Sequence, residues 1–303
     1  MMNLRPLKKP THRLQPVASI ENLRGRVDRL LMPEPKRAGN ASQFSLDLTD
    51  TFRREDSINV PTKSISAFLD FLTDSLPDGD IYLFGGVLRD LALLGGRGFN
   101  SDIDVVVEGD WKSCAKYVEY LGAHLNKFGG YRLEVADWKV DIWSARETWA
   151  IRQGLIQYKG IASLTETTVL NWDAILMNWR TRAFIFRRGY FEEIQARILD
   201  IVLEQNPDPI GMAVRVFRHL CLKDAKSVTP RALMYLANCT STYSLKALMD
   251  REIKSYGKSV IDPPMYRFFE HVKTHEELGM HDRIKVASEL TKQELGEIPL
   301  HTT

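Results

Sequence analysis

Gly85 and Gly86 lie between a short apolar run at 81–84 and a segment at 87–94 with helical spacing, and the β-branched stretch Ser101-Asp102-Ile103-Asp104-Val105-Val106-Val107 follows. Strand, glycine turn, helix and strand in this order set an α+β architecture for this part of the chain. Side chains alternate along a strand, so Asp102 and Asp104 project from one face while Ile103, Val105 and Val107 fill the other. Two carboxylates one repeat apart, with apolar neighbours pinned beneath, form a rigid hard-oxygen site for Mg²⁺, with Mn²⁺ as an alternative. Two such ions can activate an attacking hydroxyl and stabilise a leaving pyrophosphate. Bare acids repel a triphosphate, and the glycine pair answers that. It lets backbone approach the phosphates, and the next helix points its N-terminal NH groups at them. Arg89, about a turn into that helix, is placed to bind the phosphates, and Asp90 to hold a ribose or buttress the loop. In Lys139-Val140-Asp141-Ile142-Trp143, Val140 and Ile142 face the core, so Asp141 lies opposite them as a third acid. Each piece alone has a bland counterpart in a strand edge, a turn or a surface ion pair; their combination in this order is specific.

Around this unit the chain reads as two parts. Residues 65–76 carry one amphipathic face, 111–121 a helix, and 131–135 and 138–143 two strands about a tight turn at Ala136-Asp137. A strand pair is expected near 172–177 and 183–186, and from about 211 the pattern is helical, at 213–222, 231–238, 244–256 and twice beyond Pro264. The 303 residues allow two domains, and 44% hydrophobic content supplies a core. No run of about 18 apolar residues offers a membrane span. The first residues lack the apolar segment of a secretory signal. Cys114, Cys221 and Cys239 are odd in number and widely spaced, which fits reduced thiols and a cytoplasmic location.

The net charge of +2 is unevenly spread. Residues 1–40 hold nine Lys/Arg against three acids, a local +6 that leaves −4 for the rest. Such an arm suits contact with a polyanion or is a solvated tail. Within it Ile20, Leu23, Val27, Leu30 and Leu31 form a helical stripe with Ser19 as N-cap, so residues 18–32 are expected to dock on the body or on a partner chain.

Gly85-Gly86-Val87-Leu88-Arg89-Asp90 with the Asp102/Asp104 strand resembles the head signature of the template-independent tRNA nucleotidyltransferases (CCA-adding enzymes) and bacterial poly(A) polymerases, of the DNA-polymerase-beta-like nucleotidyltransferase superfamily. Leu94-Gly95-Gly96-Arg97, Lys127-Phe128-Gly129-Gly130-Tyr131-Arg132 and Val140-Asp141-Ile142 with Arg146-Glu147 resemble further segments of that head. The resemblance covers residues 62–150 well and continues faintly to about 220. It implies a small mixed sheet flanked by helices, joined to helical neck and body segments. The expected organisation is a basic extension at 1–55, the head at 56–160, a neck-like nucleotide-binding segment at 161–220 and a helical domain at 221–303. It implies that Asp102 and Asp104 bind two metal ions with Asp141 as third acid, that Gly85, Gly86 and Arg89 hold the triphosphate, and that Asp90 supports the nucleotide.

Beyond the head the sequence departs from the family. Where the family has Arg-Arg-Asp-Phe-Thr-x-Asn-Ala, this chain has Thr167 to Ala174 without either arginine, and Asn171 and Asp173 are the candidates for sugar contacts. Asp208-Pro209 matches the family's Asp-Pro, but Gly211 stands where the family's base-reading Arg would be. In CCA-adding members that Asp and Arg choose C or A together, so the resemblance implies divergence from CCA addition. Arg215 and Arg218, one helical turn apart, face either the nucleotide and RNA backbone or solvent. The expected activity is NMP transfer from an NTP to an acceptor hydroxyl, an RNA and in particular tRNA 3′ end, in a regulatory, toxin-like or defence setting. The alternatives are housekeeping CCA or poly(A) addition, a non-RNA acceptor, and a non-catalytic nucleotide- or RNA-binding protein on the same fold.

Overall fold

A computed structural model of the chain describes residues 2–4, 15–32, 64–76, 78–99, 101–223, 225–295 and 300–301. In chain order its elements are β1 (Met2–Leu4), α1 (Ile20–Leu31), α2 (Ile65–Asp74), β2 (Asp80–Phe84), α3 (Gly86–Leu94), β3 (Ile103–Glu108), α4 (Trp111–Tyr120), β4 (His124–Leu125), β5 (Tyr131–Val135), β6 (Trp138–Ser144) and α5 (Trp149–Arg152). They continue as β7 (Ile175–Asn178), β8 (Phe184–Phe186), α6 (Tyr190–Ala196), β9 (Ile198–Leu199), α7 (Pro209–Leu222), β10 (Ser227–Val228), α8 (Pro230–Thr242), α9 (Leu245–Tyr256), α10 (Pro263–Thr274), α11 (Met280–Leu295) and β11 (Leu300–His301). The architecture is the expected mixed α+β head with a helical C-terminal part. Among the described residues no helix is long and apolar enough to cross a membrane.

One seven-stranded sheet has the order β4-β5-β6-β3-β2-β7-β8, with β3 and β6 parallel and the other neighbours antiparallel. Strands β7 and β8 hydrogen-bond into it, so the sheet runs past residue 160 into the segment read as neck-like. Trp172 and Asp173, expected as the start of a strand, lie instead in a 3₁₀ turn (Asn171–Asp173) ahead of β7. A small second sheet has the order β11-β1-β10-β9. On one face of the large sheet Ile103, Val105, Val107, Val140 and Ile142 are buried with Val87, Leu88 and Leu91 of α3. The other face buries a smaller cluster of Tyr82, Phe84, Val106 and Leu176. Alternation puts Asp104 on that second face, beyond the point where its apolar cover ends.

Helix α1 starts at Ser19, whose hydroxyl accepts from the Asn22 amide. Its stripe of Leu23, Val27 and Leu31 is buried in the chain's own core, against α3, rather than left for a partner. The segment also caps α3. Val17 N donates to Ala92 O (2.9 Å), and the Arg26 guanidinium donates to Leu91 O (2.8 Å) and Ala92 O (3.2 Å). Arg24 donates to Arg182 O and lies over the Phe184 ring. Two cations of the basic arm therefore belong to the fold. Arg5, Lys8, Lys9, Arg13, Lys36 and Arg37 lie outside the described residues.

The C-terminal helices pack α10 against α8 and α11 and α7 against α9. Phe217 of α7 meets Phe269 of α10 edge-on at 5.8 Å, which ties the helical part to the helix lining the site. All three cysteines are free and buried, and burial pushes the Cys114 thiol up to about 12.

Candidate active site

Gly85 has φ +59°, a conformation that L side chains rarely adopt. Its amide donates to Ile175 O of β7 (3.0 Å), and the chain turns there from β2 into α3. Beneath the turn, each nitrogen of the Arg89 guanidinium has a partner: Nε with Asp90 Oδ1 (2.8 Å), Nη1 with Asp173 Oδ1 (2.5 Å) and Nη2 with Ser101 Oγ (3.0 Å). Asp90 is fully buried, and also accepts from Ser101 Oγ (2.8 Å) and Lys223 Nζ (2.9 Å to each oxygen). Burial alone would raise the Asp90 carboxyl, but Arg89 and Lys223 outweigh it and hold it far below the usual carboxylate range. Burial alone would lower Arg89, and Asp173 and Asp90 reverse that. Arg89 and Asp90 thus brace the glycine turn, and Arg89 also lines the cavity. Of the two family-position residues proposed for sugar contacts, Asp173 lines the cavity through its pair with Arg89. Asn171 does not: its amide donates to Glu193 Oε2 and Ile198 O and accepts from Asp200 N, pinning the 3₁₀ turn.

Parallel pairing of β3 with β6 sets Asp104 directly beside Asp141, with Asp102 one repeat before Asp104. All three acids line a cavity of about 870 Å³ shared with Gly85 and Gly86. Burial first, then Asp141 and more weakly Asp173 and Asp102, push Asp104 up to about 7, while Arg215 opposes the shift. A carboxyl so crowded by its own charge type suits a bound cation, which would restore its ionised form. Among the described residues no three His, Cys, Asp or Glu groups converge on one metal-sized point. Asp102 and Asp104 with oxygens of a bound triphosphate match the sparse protein ligation Mg²⁺ accepts. Asp141 is held otherwise. Arg132 of β5 grips it through Nε–Oδ1 (2.8 Å) and Nη2–Oδ2 (2.5 Å) and reaches Asp102 Oδ2 at 3.5 Å. Arg132 is a site residue that the motif reading passed over. The two-residue turn at Ala136-Asp137 was signal enough, since it fixes the hairpin register that pairs Arg132 with Asp141.

Helix α7 forms the opposite wall with Met212, Arg215, Arg218, His219 and Leu222, joined by Tyr256 from the end of α9. The Arg218 guanidinium lies 3.9 Å from the Tyr256 ring centroid, and Nη1 donates to Glu252 Oε1 (2.5 Å). Glu252 is fully buried, its other oxygen accepting from Val260 N and Ile261 N. His219 is kept neutral, down at about 3, by burial and then by Arg89. Trp143 is the tryptophan of the middle segment that reaches this cavity; Trp172 and Trp179 are core residues.

Asp208, expected at the nucleotide, does not line the cavity. It N-caps α7 through Gly211 N (3.1 Å), and its other oxygen pairs with Arg251 Nη2 of α9 (2.5 Å). Gly211 is required by this pair. A Cβ there would lie 2.6 Å from Asp208 Cγ and 2.8 Å from Arg251 Nη2. The absent arginine at 211 is thus explained locally, by an arginine arriving from another helix.

Fold and site together define an α+β head with an acid pair facing a glycine turn across one cavity. No protein-family model matches the chain, and no curated protein matches it. Its structure is similar to that of a CCA-adding enzyme with CTP, at 17% identity and TM-score 0.48, over 75% of this chain and 58% of that one. It is similar too to a tRNA-processing enzyme in an apo form (15%, TM-score 0.49, 78% of this chain and 66% of that one). A third is the Thermotoga maritima CCA-adding enzyme complexed with tRNA (16%, TM-score 0.49, 75% and 57%). The chain spans less than two thirds of the length of these structures.

Proposed function

We propose that the protein is a template-independent nucleotidyltransferase that moves an NMP from an NTP to an acceptor hydroxyl, an RNA and in particular a tRNA 3′ end, and releases pyrophosphate. The observation that carries this reading is the register of β3 and β6, which gathers Asp102, Asp104 and Asp141 on one cavity wall shared with the Gly85-Gly86 turn. The acceptor oxygen bonds to the α-phosphorus as that atom's bond to the α–β bridging oxygen breaks. Pyrophosphate leaves with the bridging oxygen, and the hydroxyl proton passes to solvent. Two Mg²⁺ or Mn²⁺ ions held by Asp102 and Asp104 would supply the charge neutralisation this step needs. The start of α3 offers NH groups to the phosphates. Arg215 adds positive charge beside Asp104, and Arg218, clamped by Glu252, turns its remaining donors toward base or RNA backbone.

Asp208 favours a member diverged from CCA addition over a housekeeping one, because its carboxylate is committed to the α7 cap and Arg251 outside the cavity. Labelled transfer from each of the four NTPs into trimmed tRNA, total RNA and cell extract tests both levels. Transfer to RNA by wild type and none by a folded Asp104→Ala variant is the expected result. Undiminished transfer by Asp104→Ala would sink the mechanism. Nucleotide binding without transfer to any acceptor would make the chain a binding protein, and sequential C then A addition would restore the housekeeping role.

A further inference from the structure

The carboxylate wall carries a cation of its own. Arg132 binds Asp141 through two parallel N–H···O contacts and touches Asp102 with the same Nη2. One guanidinium thus spans two of the three acids and offsets part of their charge. Arg132 is 56% exposed along its side chain and Asp102 43%, whereas Asp141 is 16% exposed. The grip is therefore anchored at the inner acid and open to solvent at Asp102, where the contact is longest.

We propose that Arg132 is a displaceable counter-cation: it holds Asp102 and Asp141 while the nucleotide is absent, and yields Asp102 to the divalent cation that enters with a triphosphate. This rests on the reading of Asp102 and Asp104 as cation ligands. A cation arriving alone meets a positive charge already placed against one of its ligands. A cation arriving with a triphosphate brings about four negative charges that offset Arg132 and offer the freed guanidinium a bidentate phosphate partner. Arg132 is in this sense a positioning residue, acting through the carboxylates, and it makes cation uptake conditional on nucleotide.

The test is Mn²⁺ binding to the full chain, read from the electron paramagnetic resonance signal of free Mn²⁺, for wild type, Arg132→Gln, Arg132→Lys and Asp104→Asn. Without nucleotide, Arg132→Gln should bind Mn²⁺ more tightly by about fivefold or more, the scale expected for removing one nearby like charge at a protein surface. Arg132→Lys, which keeps the charge, should stay within about twofold of wild type. With a non-hydrolysable triphosphate present, the advantage of Arg132→Gln should vanish. Unchanged or weaker Mn²⁺ binding by Arg132→Gln, with Asp104→Asn still weakening it, would overturn the counter-cation role and leave the metal site standing. An equal gain with and without the triphosphate would overturn the exchange. Mn²⁺ binding indifferent to Asp104→Asn would remove the metal site itself, and the inference with it.

Discussion

Beneath the glycine turn, Arg89, Asp90, Asp173 and Lys223 form ion pairs among side chains that are nearly or wholly out of solvent. On the strand wall of the same cavity, Arg132, Asp141 and Asp102 form pairs of the same chemistry with the arginine more than half exposed. The Arg132–Asp141 pair is as short as the inner ones, and only the reach to Asp102 is longer, at 3.5 Å; what separates the two places is burial. A buried charge that loses its partner has no water to turn to, so the inner network is permanent and fixes the backbone of the turn. An exposed pair trades partners with water and ions at little cost, so the outer one is free to exchange. A rigid backbone at the turn and an exchangeable charge at the acids are what the proposed nucleotide transfer would call on.

Breaking the inner network gives the largest effect. Arg89→Ala leaves Asp90 and Asp173 short of their main cation and should cost about 3–5 kcal/mol in urea unfolding, whereas Arg132→Gln should change stability by about 1 kcal/mol or less. The comparison fails if the two losses are equal. The inner network also sets an acid limb. Asp90 ionises in the fold far below its unfolded value of about 3.9, so the stability it contributes is present above that value and is lost as pH falls below it. Asp90→Asn should flatten this limb.

Asp104 has the opposite slope. Its folded value of about 7 lies above the unfolded one, so the fold holds the extra proton between about 4 and 7 and loses stability as pH rises through that window. With divalent cations chelated, Asp104→Asn should stabilise the protein at pH 8 by about 2 kcal/mol, and the gain should shrink toward pH 5. A gain that does not vary with pH would mean the carboxyl is not under this strain.

Next in size is the cap on α3. Apart from the short β4 (His124–Leu125), the order of elements from 64 to 144 was legible because strand alternation, paired glycines and a two-residue turn are local signals, and the β-branched run of β3 has one workable face. The use of Arg24 and Arg26 was not. Charge counted along the chain says nothing of which cations find carbonyls, and the carbonyls at the end of α3 that Arg26 meets are 65 and 66 residues away. The same holds for Asp208 and Arg251, 43 residues apart, and for the inward turn of Asn171. Pairings set by tertiary packing leave no periodic trace. Arg26→Ala should therefore destabilise the glycine-turn helix, by about 1.5 kcal/mol in unfolding, with hydrogen exchange in α3 as the local readout. A variant that loses RNA affinity and no stability would return Arg26 to the polyanion-binding arm.

The smallest effect carries the sharpest sign. Gly211 lies in the first turn of α7, where alanine is ordinarily better than glycine by up to about 1 kcal/mol. Here the added methyl would press on Asp208 Cγ and on the Arg251 guanidinium, neither of which can retreat without giving up the α7 cap or the pair to α9. Overpacking of this kind costs about 1–3 kcal/mol, so Gly211→Ala should be net destabilising by about 1 kcal/mol. In an Asp208→Ala background the obstacle is gone and the same substitution should become stabilising. That reversal, measured as a double-mutant cycle in unfolding free energy, separates a glycine retained for the Asp208–Arg251 pair from one tolerated for want of selection. Additive effects would mean that the pair does not dictate the residue at 211.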